Sequence, residues 1–183
     1  MNPLTITILF VTAYLAVFLT AKMAGMISFL GTQIDLLPAL IVYAGLTTSP
    51  IVIAGLAIWC GLLSDTLSAN PLGITINPLL LIGLVVYHRK ELILRDQAYA
   101  QFILGAAATA ASALITVLLL IATDHRPLIG WGSIWQLMIQ ALAGGCCAPL
   151  CFQFFDRIHR TFNYQPVPES SFRSDREIKR GRA

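Results

Sequence analysis

The sequence predicts an all-α integral membrane protein of about six transmembrane helices, and three observations carry that reading. Hydrophobic residues make up 57% of the chain and charged residues only 11%, where water-soluble domains carry about a quarter charged residues. Mean hydropathy is +0.76. Apolar runs, broken by short charged or turn-rich stretches, recur along all 183 residues. At about 20 apolar residues per crossing, that length holds roughly six crossings with little left over. The division expected is a transmembrane domain over residues 1–155 and a basic, disordered cytoplasmic tail over residues 156–183, with no length for a soluble domain in this sequence.

The first span is expected over residues 4–21. Its sequence, MNPLTITILFVTAYLAVFLTAK, lacks the basic start and small-residue cleavage site of a signal peptide, so it reads as a retained helix. MAGMISFLGTQID follows, too apolar for a simple loop and too short to span, which suits an interfacial or partly re-entrant segment. The second span, 36–49, is short and has Pro38 in its first turn; it is tilted, begins earlier or sits partly within protein. A tight turn at Thr47-Thr48-Ser49-Pro50 leads to the third span, 51–67, where Pro50 suits a first helical turn because its missing N–H would lack a partner there. The fourth span is placed at 73–87, making a helical hairpin with the third.

The fifth span, 102–122, begins almost wholly with small residues. Gly105, Thr109 and Ala113 recur at four-residue spacing, as do Ala106 and Ala110. Ala141, Gly145 and Pro149 repeat the pattern in the sixth span, 133–153. Small residues let helix backbones approach and gain dispersion contacts that lipid does not supply. Whether the partner helix lies in this chain or in another is left open. Pro149 should also bend its helix.

Lys and Arg near span ends set orientation. Arg89, Lys90 and Arg95 follow the fourth span, and seven of the 12 Lys and Arg residues lie after Asp156, whereas the connector after the fifth span has only Arg126. Both basic segments are therefore expected in the cytoplasm, as are both termini. Lys22 then lies outside, at a helix end from which it can snorkel. The net charge of +3 reflects this topology and no nucleic-acid partner, since no basic face interleaved with aromatics is present. The basic tail end, Lys179-Arg180-Gly181-Arg182, would add attraction to anionic lipid of about 1 kcal/mol per residue near the surface.

One carboxylate stands out. Asp65 closes the third span, and no basic residue occurs between Lys22 and Arg89. A carboxylate at mid-bilayer costs roughly 2.5–3.5 kcal/mol and less near the interface; at a helix C-terminus it gains nothing from its own dipole. In a structural reading Asp65 pins the hairpin by accepting hydrogen bonds from Thr66, Ser68, Asn70 and the free backbone N–H groups around Gly73. In a functional reading it is a proton or cation site, with Asp35 as the one acid placed to join it.

Other chemistry is weakly supported. Cys60, Cys146, Cys147 and Cys151 fall in apolar segments without CxxC or Cys/His spacing, so neither a disulfide framework nor a metal site is implied. His88, His125 and His159 are scattered, and no triad, Walker loop or HExxH motif is present. No enzyme and no cofactor is expected.

The order of these features resembles a known family. A Pro-containing second span (QIDLLPALIVYAGL), a short turn, GLLSDTLSANPLG, the basic connector YHRKELILRDQAYAQ, two further spans and a basic C-terminus look like the bacterial rod-shape-determining membrane protein family MreD, up to about Phe155. The most specific element is Gly–x–x–x–Asp followed after six residues by Leu-Gly, carried by Gly61, Asp65, Leu72 and Gly73, with Pro38 upstream. The resemblance implies a multi-pass, non-enzymatic subunit of the cell-elongation complex in the bacterial inner membrane. Such a subunit binds the periplasmic scaffold MreC and acts with the MreB filament, the glycosyltransferase RodA and a class B transpeptidase to regulate peptidoglycan synthesis and cell shape. It also implies a fold similar to the substrate-binding (S) components of energy-coupling-factor vitamin transporters. The segment from Asn163 to Ala183 exceeds shorter family members.

Two classes of function follow. An assembly subunit would expose small-residue or aromatic helix faces and hold no closed polar cavity; Met23, Met26, Phe29 and Leu30 are its expected partner face, an adaptable apolar surface near the outer interface. A vitamin-uptake subunit would hold an outward cavity lined by polar groups, for which the outer turns supply few candidates: Gln33, Asp35, Asp65, Asn70, Asn77 and Trp131. The shortage favours the first class. A lipid-modifying enzyme would need a nucleophile and base pair that the sequence does not offer.

Overall fold

The computed structural model of the chain describes residues 3–23, 35–68, 71–90, 97–123 and 130–162. Among these residues the fold is all helical: α1 (Pro3–Met23), α2 (Leu37–Thr47), α3 (Pro50–Leu67), α4 (Ile76–Arg89), α5 (Ala98–Ala122) and α6 (Trp131–Phe162). Three segments are long and apolar enough to cross a membrane, Pro50–Leu67, Ala98–Ala122 and Trp131–Ile158. The apolar segments Ile6–Lys22, Leu37–Thr47 and Ile76–Arg89 are shorter; α2, with 11 residues, is roughly 16 Å long at about 1.5 Å per residue.

Helix limits differ from the sequence reading where local hydrogen bonding outweighs hydropathy. Leu72–Thr75 forms a turn, so α4 starts at Ile76 and not at residue 73. Gln97 is extended and its carbonyl accepts the Gln101 N–H at 3.1 Å, which opens α5 earlier than residue 102. Past the expected boundary at 155, α6 continues as helix to Phe162, with Pro149 inside it; residues 163–183 of the expected tail lie outside the described residues.

The helix with the fewest turns is the central one. α2 packs against each of the five other helices, and Leu37 through Gly45 are all buried. A helix that is apolar on every side has no face to offer water, so enclosure satisfies all of it at once. Tyr43 couples it to α6: its ring stacks on Phe155 (4.5 Å, 17°) and meets Phe152 edge-on (5.1 Å, 82°). At its C-terminal end, Thr48 donates both its N–H (2.8 Å) and its hydroxyl (2.7 Å) to the Ala44 carbonyl, which ends the helix before Pro50 opens α3.

Close approach at glycine decides the pairings. A Cβ on Gly45 would lie 2.9 Å from Val86 Cγ1, drawing α2 and α4 together. In the α5–α6 pair a Cβ on Gly105 would lie 2.7 Å from the Gly144 carbonyl oxygen, and one on Gly144 would meet the Thr109 side chain. The small residues of α5 thus find their partner within this chain. The α6 face involved includes Gly144, Gly145 and Ala148, of which Gly145 belongs to the Ala141–Gly145–Pro149 stripe, and Ala113 lines a cleft.

Candidate functional site

Asp65 sits on the same face of α3 as Gly61, one turn later, and is 2% exposed. Its Oδ2 accepts the Gly73 N–H at 2.7 Å and the Thr75 N–H at 3.3 Å, and its Oδ1 accepts a short hydrogen bond from the Thr75 hydroxyl. These donors open α4, where backbone N–H groups have no helical acceptor. Gly73 has φ +93, a left-handed conformation that glycine adopts without steric cost. Gly61 completes the joint, since a Cβ there would lie 2.7 Å from Ile76 Cγ1 and 2.9 Å from Ile76 Cα. The carboxylate is therefore a strut between α3 and α4.

The flanking hydroxyls serve other acceptors. Thr66 donates to the Leu63 carbonyl (2.8 Å), and Ser68 donates to the main-chain carbonyl of Asp65 at 3.4 Å, so neither reaches the carboxylate. Thr75, which the sequence reading passed over, supplies two of the three bonds. Leu72 is 69% exposed and packs little. Pro38 is buried in the first turn of α2. Asn70, Met26, Phe29 and Leu30, and the side chain of Met23, lie outside the described residues.

A second feature occupies the same end of the bundle. A cleft of about 530 Å³ is lined by Thr20 near the end of α1, Asp35 just before α2, Ser64 and Ser68 at the end of α3, Thr75 and Pro78 at the start of α4, and by α5 and α6. Ends of odd-numbered helices and beginnings of even-numbered ones thus meet here, so the helices alternate in direction. On α5 the polar lining is Thr109, Ser112 and Thr116, spaced by three and four residues; on α6 it is Ser133, Gln136 and Gln140, spaced likewise. Each set forms one stripe on its helix. A smaller recess of about 40 Å³ shares Thr20, Asp35, Ser64 and Ser68 with the cleft.

Asp35 is half-buried at this junction. One carboxylate oxygen accepts the Leu37 N–H at 2.9 Å, at the start of α2. The other accepts no bond among the described residues. Surrounding protein pushes the carboxyl above its usual range, opposed by the Leu37 N–H. Thr109, Ser112 and Thr116 direct their hydroxyls to carbonyls of their own helix. Ser64 makes no such bond among the described residues. Among the residues lining the cleft there is no Lys, Arg or His.

The cleft corrects one expectation. Polar candidates in the outer turns are few, but α5 and α6 add six more from within their helices. The signal was present as hydroxyl and carboxamide residues at helical spacing inside apolar runs; reading the fifth span for small residues alone hid Ser112 and Thr116. Asp65 and Asp35 do not form a pair: the first is enclosed by the hairpin and the second faces the cleft. Among the described residues no group of His, Cys, Asp and Glu could hold a metal ion, and the four cysteines are free.

Compared with known proteins, the chain matches no family model, no curated relative and no solved structure.

Proposed function

We propose that this chain is a multi-pass, non-enzymatic subunit of the bacterial rod elongation complex, similar to MreD. In this reading six helices cross the inner membrane with both termini in the cytoplasm. The subunit binds an MreC-like periplasmic scaffold and acts with MreB, RodA and a class B transpeptidase. The observation that carries the reading is the α3–α4 joint. Gly61, Asp65 and Gly73, three of the four residues of the most specific motif in the resemblance, meet in one place and each has a physical task there; the fourth, Leu72, is exposed. The alternating helix directions support six crossings, and the basic residues Arg89, Lys90 and Arg157 lie at the helix ends opposite the cleft, which supports a cytoplasmic location for them. The short α2 is compatible with crossing because protein surrounds it.

The test is capture of the tagged chain in mild detergent, with identification of copurifying proteins. A single-pass periplasmic coiled-coil protein together with cell-wall polymerases supports the proposal; their absence from crosslinked membranes of the native host overturns it. A second reading, the S component of an energy-coupling-factor vitamin transporter, is favoured by the polar-lined cleft. Copurification of a paired ATPase module would select it.

A further inference from the structure

We propose that the cleft between α5, α6 and the ends of α1, α3 and α4 binds a small cationic amphiphile, with its ammonium group in the recess at Asp35 and its apolar body along α5 and α6. This deepens the small-molecule reading of the cleft and rests on that reading for biological meaning. It is independent of whether the chain joins an elongation complex.

Three observations point to the ligand class. The first is size: about 530 Å³ falls within the roughly 300–1,000 Å³ of small-molecule sites, and the recess of about 40 Å³ admits a group the size of a water or an ammonium. The second is charge. Among the described residues the lining has one carboxylate, Asp35, with a free oxygen, and no Lys, Arg or His. Among these residues an anionic ligand would find no counter-charge, whereas an ammonium would meet Asp35 with the Ser64 hydroxyl beside it. The third is the division of polarity. Thr20, Asp35, Ser64 and Ser68 gather at the recess, while Pro78, Leu79, Leu114, Val117, Ile134 and Leu137 supply an apolar wall for the rest of the molecule.

The sequence of α6 adds a physical reason to expect an occupant. Gln136 and Gln140 lie one turn apart in a segment long and apolar enough to cross a membrane. Carboxamides in such a helix are costly unless they face a polar partner or cavity. Both line the cleft, and Gln136, which has no hydrogen-bond partner among the described residues, can hydrogen-bond a ligand's amide, ether or hydroxyl group.

The experiment uses the full chain reconstituted in phosphatidylcholine nanodiscs and the fluorescent amine dansylcadaverine, with its neutral N-acetyl derivative and the anionic dansylglycine as charge controls. The result expected is saturable binding of the amine at one molecule per chain, at least about tenfold tighter than the neutral analogue, with no saturable binding of the anion. Asp35→Asn should remove the preference for the amine, because the amide still accepts the Leu37 N–H but carries no charge. Thr116→Phe should abolish binding by filling the cleft. Folding of both variants is checked by gel filtration and melting temperature, and the charge series in the unaltered chain decides the matter if a variant fails to fold. Equal affinity for amine and neutral probe, binding unchanged in folded Thr116→Phe, or partition no greater than into empty nanodiscs would each overturn the proposal. Since no transporter partner is present, failure here is distinct from failure of the uptake reading, which is judged by ATPase copurification.

Discussion

The Gly73 N–H donates to Asp65 Oδ2 at 2.7 Å, across the turn that joins α3 to α4. Asp65 and Gly73 are eight positions apart in sequence, yet the bond brings the only left-handed glycine among the described residues onto the one carboxylate of α3. It closes a joint in which both carboxylate oxygens are satisfied by the residues that open α4.

Replacing the carboxylate tests whether charge or hydrogen bonding holds that joint. Asp65→Asn keeps an oxygen for the Gly73 and Thr75 N–H groups and an amide for the Thr75 hydroxyl, so its cost should be about 1 kcal/mol. Asp65→Ala strands two partly buried N–H groups at up to roughly 1–3 kcal/mol each. Thermal melting in detergent should therefore rank the native chain above Asn and Asn well above Ala. Equal losses for the two would mean that charge is what matters.

Gly61 and Gly73 are both glycines of the motif, for different reasons. Gly61→Ala drives a Cβ against the Ile76 backbone as well as its side chain, so α4 must shift, at roughly 1–3 kcal/mol. Truncating Ile76 to Ala should not rescue it. Gly73→Ala meets no atom within 4 Å but strains a positive φ, costing about 1 kcal/mol or somewhat more. The measurement is melting temperature across the three variants, and rescue of Gly61→Ala by Ile76→Ala would refute the backbone argument.

The polar stripe of α6 should behave as a functional burden and not as a stabiliser. Gln136 is exposed along the cleft and has no hydrogen-bond partner among the described residues. Gln136→Leu should leave the melting temperature unchanged or raise it, within about 0.5 kcal/mol for a surface change, while weakening dansylcadaverine binding severalfold. A large loss of stability would assign Gln136 a packing role instead.

Ionisation of Asp35 gives a pH signature. Its carboxyl is raised in the folded chain by desolvation, so the folded state holds this proton more tightly than the unfolded state does. The stability contributed is complete below the ordinary carboxylate range and is lost as pH rises through the folded value. Asp35→Asn cannot ionise and escapes that loss. Its melting temperature relative to the native chain should therefore rise with pH in ligand-free protein; a difference that falls with pH would reverse the assignment.

Orientation is accessible by labelling. Gly132 has open space around a built Cβ, and Lys90 is exposed at the opposite end of the bundle. In a chain with the four cysteines replaced by serine, Gly132→Cys should react with a membrane-impermeant maleimide on intact spheroplasts and Lys90→Cys only after lysis. The opposite pattern would invert the topology and move the cleft to the cytoplasmic side.

By itself the sequence determined what depends on neighbours along the chain. Apolar run length placed six helices close to their observed limits, Pro38 and Pro50 marked helix starts, and the isolation of Asp65 from any basic residue pointed to backbone donors around Gly73. Hydropathy misplaced the starts of α4 and α5, because turn and capping bonds involving Leu72–Thr75 and Gln97 do not register in an apolar average, and it stopped α6 where polar residues enter although the helix continues to Phe162. Only the tertiary structure decided which faces meet. It enclosed α2 at the centre, selecting placement within protein among the options its short length had left open, it turned Gly105 and Thr109 against Gly144 and Ala148, and it gathered Asp35, Ser64, Ser112, Thr116, Gln136 and Gln140 into one cleft. Those residues come from three helices and a helix-opening turn, and no periodicity within a single helix encodes the rotation of one helix against another. That rotation is set by close packing at glycines and by the joint at Asp65, which are properties of pairs of helices and not of runs of sequence.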